Sequence, residues 1–414
     1  MSLSYRSAVR GVGGWAACSA ASVAALGLIA AAPATTAAAE IYTQPGGETH
    51  AEVDTNRNLT SGEKSTSEGY GVNLVDLVGI ATPLSMTTLR PQLGYIDFPK
   101  DQEHSVLGQL DLASTYNSQR SGFSLYGTFN RSDTYISELA SAQFNPVLPV
   151  SPTTPETARV TTNTTRTLGN VEPKYDYQLS QRTRIGFSGV YESATYSGDF
   201  ASLYVPYQYG EGDVHVAYAM TPRVDLSAGP FISRDAAKLG GLAVDGKGAK
   251  LAFDYKWTQT FTGELELTGE QDDSRLSEGA PTTRSNNFGA TYATTWTGQI
   301  TSFRLSVGRT FSPNGAGGVY KTDQVQAEFD RKLTERFTTS YAARYIDASA
   351  LAGPGVGDYK YGEAVAGFKW LMTRTWYLGG GAQFQWVRYG LNSSSANNAM
   401  AYLSVGYQGL GPRT

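Results

Sequence analysis

Lys250-Leu-Ala-Phe-Asp-Tyr-Lys-Trp-Thr-Gln-Thr-Phe-Thr-Gly-Glu-Leu-Glu-Leu-Thr268 alternates apolar and polar residues, breaks for a few, and alternates again. In its first half Leu251, Phe253, Tyr255 and Trp257 share one face, and Lys250, Ala252, Asp254 and Lys256 share the other, because successive side chains of a strand point to opposite sides. In its second half Leu265 and Leu267 oppose Glu264, Glu266 and Thr268. The tight turn Trp257-Thr-Gln-Thr260 between them makes this an antiparallel hairpin with one apolar and one polar face.

The same beat recurs at Leu179-Ser-Gln-Arg-Thr183, Met220-Thr-Pro-Arg223, Trp296-Thr-Gly-Gln-Ile300, Leu333-Thr-Glu-Arg336 and Leu371-Met-Thr-Arg-Thr375. The turns come about every 38 residues, which leaves room for two strands of roughly 10 residues and one longer polar loop. Ile185, Phe187 and Tyr191 alternate with Arg184, Ser188 and Glu192, and Phe303, Leu305 and Val307 with Arg304 and Ser306. Leu403, Val405 and Tyr407 close the series. The count from His50 to Tyr407 is about 18 strands, with 16 as the alternative because the first four are less regular, notably around Asn73 to Val78. An even number brings both ends to the same side, as in bacterial barrels. The expected fold is all-β, a transmembrane antiparallel up-and-down β-barrel. A β-propeller has a period of ~40 residues but fits four strands into it; only two long strands fit here.

Tryptophan gives the orientation. Trp257, Trp296, Trp370 and Trp376 lie within or beside the short turns, and Trp386 follows Trp376 by ten residues, about one crossing. Indoles favour the membrane–water interface, so these five read as an aromatic girdle. The short turns then face the periplasm and the longer loops the exterior.

The ends divide the chain further. Arg6 and Arg10, a mostly apolar run from Ala20 to Ala32, and Ala37-Ala38-Ala39 read as a cleaved secretory signal over residues 1–39. Residues 40–45 are expected to be a short periplasmic segment, 46–409 the barrel and 410–414 a tail. The single cysteine, Cys18, falls in the signal, so no disulfide framework is expected. Residues 1–39 hold two Arg and no acid, which leaves 31 basic and 37 acidic side chains after them, net −6. There is no basic stripe of the kind nucleic acid needs. The chain is 40% hydrophobic with a mean hydropathy of −0.30, as expected where each strand has one apolar face. Outer-membrane lipid, lipopolysaccharide and the barrel-insertion machinery are the expected partners; no cofactor is implied.

One loop stands apart. Ala140 to Thr165 is rich in Pro and Thr and joins the fifth and sixth strands by this count. In general porins the loop at this position folds inward, which makes Phe144, Pro146, Leu148, Pro149, Glu156 and Arg159 candidates for a constriction; the alternative is an outward surface loop.

Chemistry in the wall is poorly supported. Outer-membrane phospholipases and proteases both need a histidine, and beyond the signal the chain has His50, His104 and His215. His104 falls in a short loop beside Asp101 and Glu103, and His215 faces the lumen beside Asp213. No nucleophile–base–orienter grouping is recognisable, and no spacing matches a metal site. Glu264 and Glu266 share a face at i, i+2, a pair that lumen walls commonly carry. The lumen face includes Arg90, Lys174, Arg184, Lys250, Lys256, Arg304, Arg344 and Lys369 against Glu52, Asp111, Glu172, Asp176, Asp213, Glu264, Glu266 and Glu328. The balance points to a neutral or weakly charged hydrophilic solute.

The first strand, Ala51-Glu-Val-Asp54-Thr-Asn56-Arg-Asn-Leu59, carries an apolar residue followed by Asp-x-Asn. It resembles the opening of a family of outer-membrane β-barrel porins often encoded beside exopolysaccharide synthesis genes. Leu89-Arg-Pro91-Gln-Leu-Gly-Tyr95, Leu110-Asp-Leu-Ala-Ser-Thr-Tyr116 and Phe123-Ser-Leu-Tyr-Gly-Thr-Phe129-Asn-Arg131 are similar to that family too. The resemblance implies a non-catalytic barrel serving polysaccharide export, with polysaccharide and periplasmic export proteins as partners. A general diffusion porin and a structural or adhesive barrel with a closed lumen are the alternatives. Barrels of this kind usually end on an aromatic residue; here Tyr407 is followed by Gln408-Gly-Leu-Gly-Pro-Arg-Thr414.

Overall fold

The computed structural model describes residues 39–61, 65–134, 164–237, 243–275, 281–315, 318–352, 358–390 and 395–409. Residues 1–38 of the signal segment, the proposed constriction loop residues and the C-terminal tail lie outside them. Residues Glu40–Thr414 form one compact unit.

Its wall begins with β1 (Glu40–Thr43), β2 (Gly46–Asp54), β3 (Ser67–Val75), β4 (Val78–Ala81), β5 (Ser85–Phe98) and β6 (Glu103–Asn117). It continues through β7 (Ser121–Asp133), β8 (Thr164–Gln178), β9 (Thr183–Gly198), β10 (Tyr207–Thr221), β11 (Val224–Ala237), β12 (Ala243–Lys256) and β13 (Phe261–Arg275). The last are β14 (Thr283–Thr297), β15 (Thr301–Asn314), β16 (Gly318–Lys332), β17 (Phe337–Ala352), β18 (Tyr359–Leu371), β19 (Trp376–Tyr389) and β20 (Ser395–Gln408). From β4 to β20 each strand pairs antiparallel with the next, and β2 pairs with β20 from Gly46↔Gln408 to Asp54↔Met400, which closes the ring. A closed ring leaves no sheet edge for water or lipid to satisfy.

Twenty segments make eighteen crossings. β3 and β4 both pair with β5 and are one strand interrupted at Asp76–Leu77. β1 pairs with β4 and β2 with β3, so these are again one strand, interrupted at Gln44–Pro45. Pro45 has no N–H to give the ladder. Gln44 and Leu77 exchange backbone bonds of 2.9 and 3.3 Å where the two interruptions meet. This is the irregularity visible near Asn73 to Val78, and the count of eighteen holds. Residues 40–45, expected as a periplasmic lead-in, instead include the paired strand β1.

The short turns owe their recurring Ser or Thr to one hydrogen-bond device. Ser180 Oγ accepts from the N–H groups of Arg182 and Thr183 at 3.3 and 3.1 Å. Thr334 Oγ1 does the same for Arg336 and Phe337 at 3.2 and 3.0 Å. Thr373 Oγ1 serves Thr375 and Trp376 at 3.2 and 2.9 Å. A hydroxyl in place of a backbone acceptor is what lets so short a turn reverse the chain.

Alternation assigns the faces. Leu251, Phe253, Leu265, Phe288, Val307, Val325, Phe384, Leu403 and Val405 are exposed large apolar residues; together they form a lipid-facing belt. Trp257, Trp296, Trp370 and Trp376 are exposed at its short-turn edge. At the opposite edge the outward face changes to ion pairs. Arg234 and Arg275 flank Asp245 at 3.7 and 3.0 Å, and Arg284–Asp273, Arg309–Asp323 and Lys360–Asp347 lie at 2.7, 2.6 and 2.6 Å. The strand from Phe261 to Asp273 spans roughly 30 Å at the usual rise and tilt. That matches a bilayer core and its interfaces. Among the described residues no helix is long and apolar enough to cross a membrane; the crossing is made by strands.

Gly229 sits where nothing larger fits. Between Asp213↔Phe231 and Val216↔Ala228 the β10–β11 ladder loses its register pairs beside Pro230, and a Cβ on Gly229 would collide with the Val214 carbonyl and the His215 backbone. Gly229→Ala is expected to lower the urea midpoint of the refolded barrel by the equivalent of ~1–3 kcal/mol. An unchanged midpoint would show that β10 moves aside freely.

Candidate functional site: the lumen and its inward-folded first loop

The inner face is divided. On the β7–β13 side the wall forms a concavity of about 420 Å³. Glu172, Glu211, Asp213, Asp254, Glu264 and Glu266 line it, together with Lys174, Lys250, His215 and the Tyr126 ring. Lys250 is bonded to Glu211 and sits 4.9 Å over the Phe231 ring. Lys174 lies 3.9 Å from Asp176. Six carboxylates therefore face two ammonium groups in this concavity, while Arg184, Lys256 and Arg304 stay exposed elsewhere on the inner face. A local excess of one sign on a low-dielectric wall concentrates counter-ions in the space it faces.

His215 is tied down within this wall. Its Nδ1 lies 2.8 Å from Asp213 Oδ2 and its Nε2 3.6 Å from Asp176 Oδ1. Ser188 Oγ donates to Asp213 and not to the imidazole. A nucleophile must be bonded to its base; this order of groups is a charge-and-hydroxyl patch. His104, expected in a short loop, is the second residue of β6 and stacks on Tyr95 at 6.0 Å.

The other half of the ring is covered from inside. Tyr320, Ile346, Ala348, Tyr359, Tyr361, Val387 and Ala396 point inward from β16 to β20 and are buried in one cluster. Leu59, from the loop after β2, is inserted among them and is only 3% exposed. Two residues earlier, Arg57 is 4% exposed. Its guanidinium pairs with Glu103, lies 3.8 Å from Asp101, and stacks 4.0 Å over the Phe98 ring. One short loop thus touches both flanks of its own barrel.

Asn56 and Asn398 fix the base of that loop. Asn398 Nδ2 donates to Asp54 Oδ1 at 2.8 Å, and its Oδ1 accepts from the Asn56 N–H at 2.9 Å. Asn56 Nδ2 donates to the carbonyls of Thr60 and Asn397, both at 2.9 Å. Thr55 N–H donates to the Ala399 carbonyl at 3.0 Å, and Ala399 N–H to Thr55 Oγ1 at 2.9 Å. Leu59 adopts φ +46°, a left-handed conformation that costs a non-glycine residue of order 1–3 kcal/mol and persists only when its surroundings impose it. The buried cluster around the side chain and the Leu59 N–H to Asn56 carbonyl bond of 3.0 Å do so.

A second inward feature stands on the far side. β14 and β15 pair only from Thr297↔Ser302 to Ala290↔Arg309. Beyond that point Val205 N–H donates to the Gly315 carbonyl at 2.8 Å, and Phe311 packs with Val205 against Ala237, Val244 and Val319. The β15–β16 tip therefore leans in towards β10–β12.

Of the residues singled out from sequence, Lys250, Glu264 and Glu266 are brought together in the concavity. Arg184 is on the inner face of β9, opposite Ala217. Arg304 opposes Glu328 in register with 4.0 Å between their charged atoms, and Arg344 is inward and buried. Trp386 shares the outward face of β19 with Trp376. Phe144, Pro146, Leu148, Pro149, Glu156 and Arg159 fall outside the described residues. Sequence reading missed Arg57 and Leu59 as site residues, although both lie in the stretch quoted for the family resemblance. Cover does not sort the mixed lumen charge by sign: Arg90 is paired with Asp111, Arg344 and Lys369 are buried, Glu52 and Asp111 are buried as well, and Arg184, Lys256 and Arg304 stay exposed.

No protein-family model and no curated protein matches this chain. Solved structures that resemble it are barrels at low identity. Pseudomonas aeruginosa OccK5 (OpdH) is 10% identical with a TM-score of 0.42, covering 88% of this chain and 98% of that one. OpdQ of the same organism is 10% identical at 0.43, covering 90% and 100%. Acinetobacter baumannii OccAB4 is 12% identical at 0.41, covering 89% and 98%.

Proposed function

We propose that this protein is an outer-membrane channel for small hydrophilic solutes. The observation that carries the reading is a closed ring of eighteen crossings with an apolar outer face and a charged, partly open inner wall. Such a surface is stable only with lipid outside and water inside. The refolded protein in a planar bilayer is expected to give discrete conductance steps; an absence of steps from correctly folded protein would favour the closed, adhesive alternative.

The accessible acids add a sign. In a tenfold KCl gradient the reversal potential should show cation preference, and Glu264→Gln with Glu266→Gln should move it toward zero without lowering the folded yield. Anion preference in the unaltered protein would contradict the role given to this wall.

The finer reading, service to exopolysaccharide export, comes from the resemblance of the first strand. Asp54 and Asn56, which carry that resemblance, are bonded into the closure between β2 and β20, a role that is independent of cargo. Export remains a proposal with its own test: neutral and acidic polysaccharide fragments added from the short-turn side should interrupt the current. Fragments that leave the current untouched would confine the channel to small solutes.

A further inference from the structure

We propose that the first loop, residues 55–60, is the size-selecting element of this channel: a brace anchored at Arg57 on β5–β6 and at Leu59 on β16–β20, confining passage to the β7–β13 side. The inference rests on the channel reading above and adds to it the part that sets the limit.

Three independent features converge on it. The two anchors have different chemistry. Arg57 is held by two carboxylates and an aromatic face, a contact set that suits guanidinium. Leu59 is held by burial among tyrosines and aliphatic side chains. They dock on opposite flanks of the closure, and the strands from β16 through β20 and β2 to β6 make half the ring. The loop thus lies inside the ring across that half. Second, Leu59 carries a left-handed backbone that its cluster imposes. Strain of this kind is retained where the position of the side chain matters more than the comfort of the chain. Third, the accessible acidic concavity lies on the side the loop does not touch.

The loop gains nothing for the lipid-facing surface, and closure is already made by β2–β20 pairing and the Asn56–Asn398 bonds. Arg57 and Leu59 extend beyond those bonds into the lumen. Their consequence is a narrower path.

The test uses the full chain refolded into planar bilayers, with folding verified by heat-dependent mobility on a gel. Single-channel conductance and the cut-off for polyethylene glycols of graded size are measured for the unaltered protein and for Arg57→Gln/Leu59→Ser. Releasing both anchors should raise conductance about twofold or more and admit larger polymers. Arg57→Lys, which keeps a charge but loses the planar fork, should fall between the two, and Arg57→Gln alone serves if the double variant does not fold. A folded variant with unchanged conductance and cut-off would overturn the brace while leaving the channel reading intact. If neither the unaltered protein nor the folded variants conduct, the channel reading itself falls, and the brace with it.

Discussion

Leu267→Arg is expected to block membrane insertion, whereas Glu266→Arg, one residue away, inserts. Leu267 stands opposite Leu251 and Ala290 on the outward face of β13, midway between Phe261 at the aromatic edge and the Asp273–Arg284 ion pair at the other. A guanidinium there faces hydrocarbon, and near the midplane of a barrel this costs ~2–4 kcal/mol, a factor of roughly 30 to 1,000 in the folding equilibrium. Glu266 lines the aqueous concavity, so Arg in its place meets water and neighbouring acids. It should change the sign or size of ion selectivity and little else. The measurement is the fraction of protein showing the folded, heat-modifiable band after refolding into vesicles. Equal yields from the two variants would mean that the inside–outside assignment of β13 is wrong, and with it the register of the hairpin it forms with β12.

That assignment was legible in the sequence because a strand has a period of two and a barrel wall has two different solvents. Leu251, Phe253, Leu265 and Leu267 repeat a single physical demand, and the Ser or Thr at each turn repeats another. Neither depends on distant contacts. β1 was hidden for the opposite reason. Four residues before a proline carry too little alternation to read, and they are a strand only because β4 lies beside them. The interruption at Asp76–Leu77 blurred the second crossing in the same way.

The site was less legible because facing is not the same as access. Alternation places Arg344, Lys369 and Glu264 alike on the inner face. It does not say that the first two lie under other groups while Glu264 lines open space. Height along the barrel and cover from a loop decide that, and both are tertiary. Arg57 and Leu59 lie in a loop whose residues obey no period. Their signal was chemical: an apolar residue and a lone cation next to Asp-x-Asn, in a loop otherwise expected to face water. The long Pro/Thr-rich loop, read from its position between the fifth and sixth strands as a constriction or an outward surface loop, has its candidate residues outside the described ones.

The Asp-x-Asn stretch leads to the second large effect. Asn398 is 3% exposed and Asp54 1%. The Asn398 amide satisfies the Asp54 carboxylate, the Asn56 N–H and, at 3.3 Å, the Thr55 hydroxyl. Asn398→Ala removes a donor from a buried carboxylate and an acceptor from a buried N–H. Each hydrogen bond lost at a buried group costs ~1–3 kcal/mol, so the loss should be about 2–5 kcal/mol, read as a fall in the urea midpoint of the folded barrel. Asn56→Ala breaks the other half of the clasp by removing the Nδ2 donor to the carbonyls of Thr60 and Asn397. Since the two asparagines act on one joint, the double variant should lose less than the sum of the singles, with a coupling of ~1 kcal/mol or more. Strict additivity would show that they stabilise the wall separately, and that the first loop is not hinged at the closure. Coupling would have a further consequence. The joint that seals the ring would also aim Arg57 and Leu59 into the lumen, so Asn398→Ala should raise conductance in whatever fraction still folds.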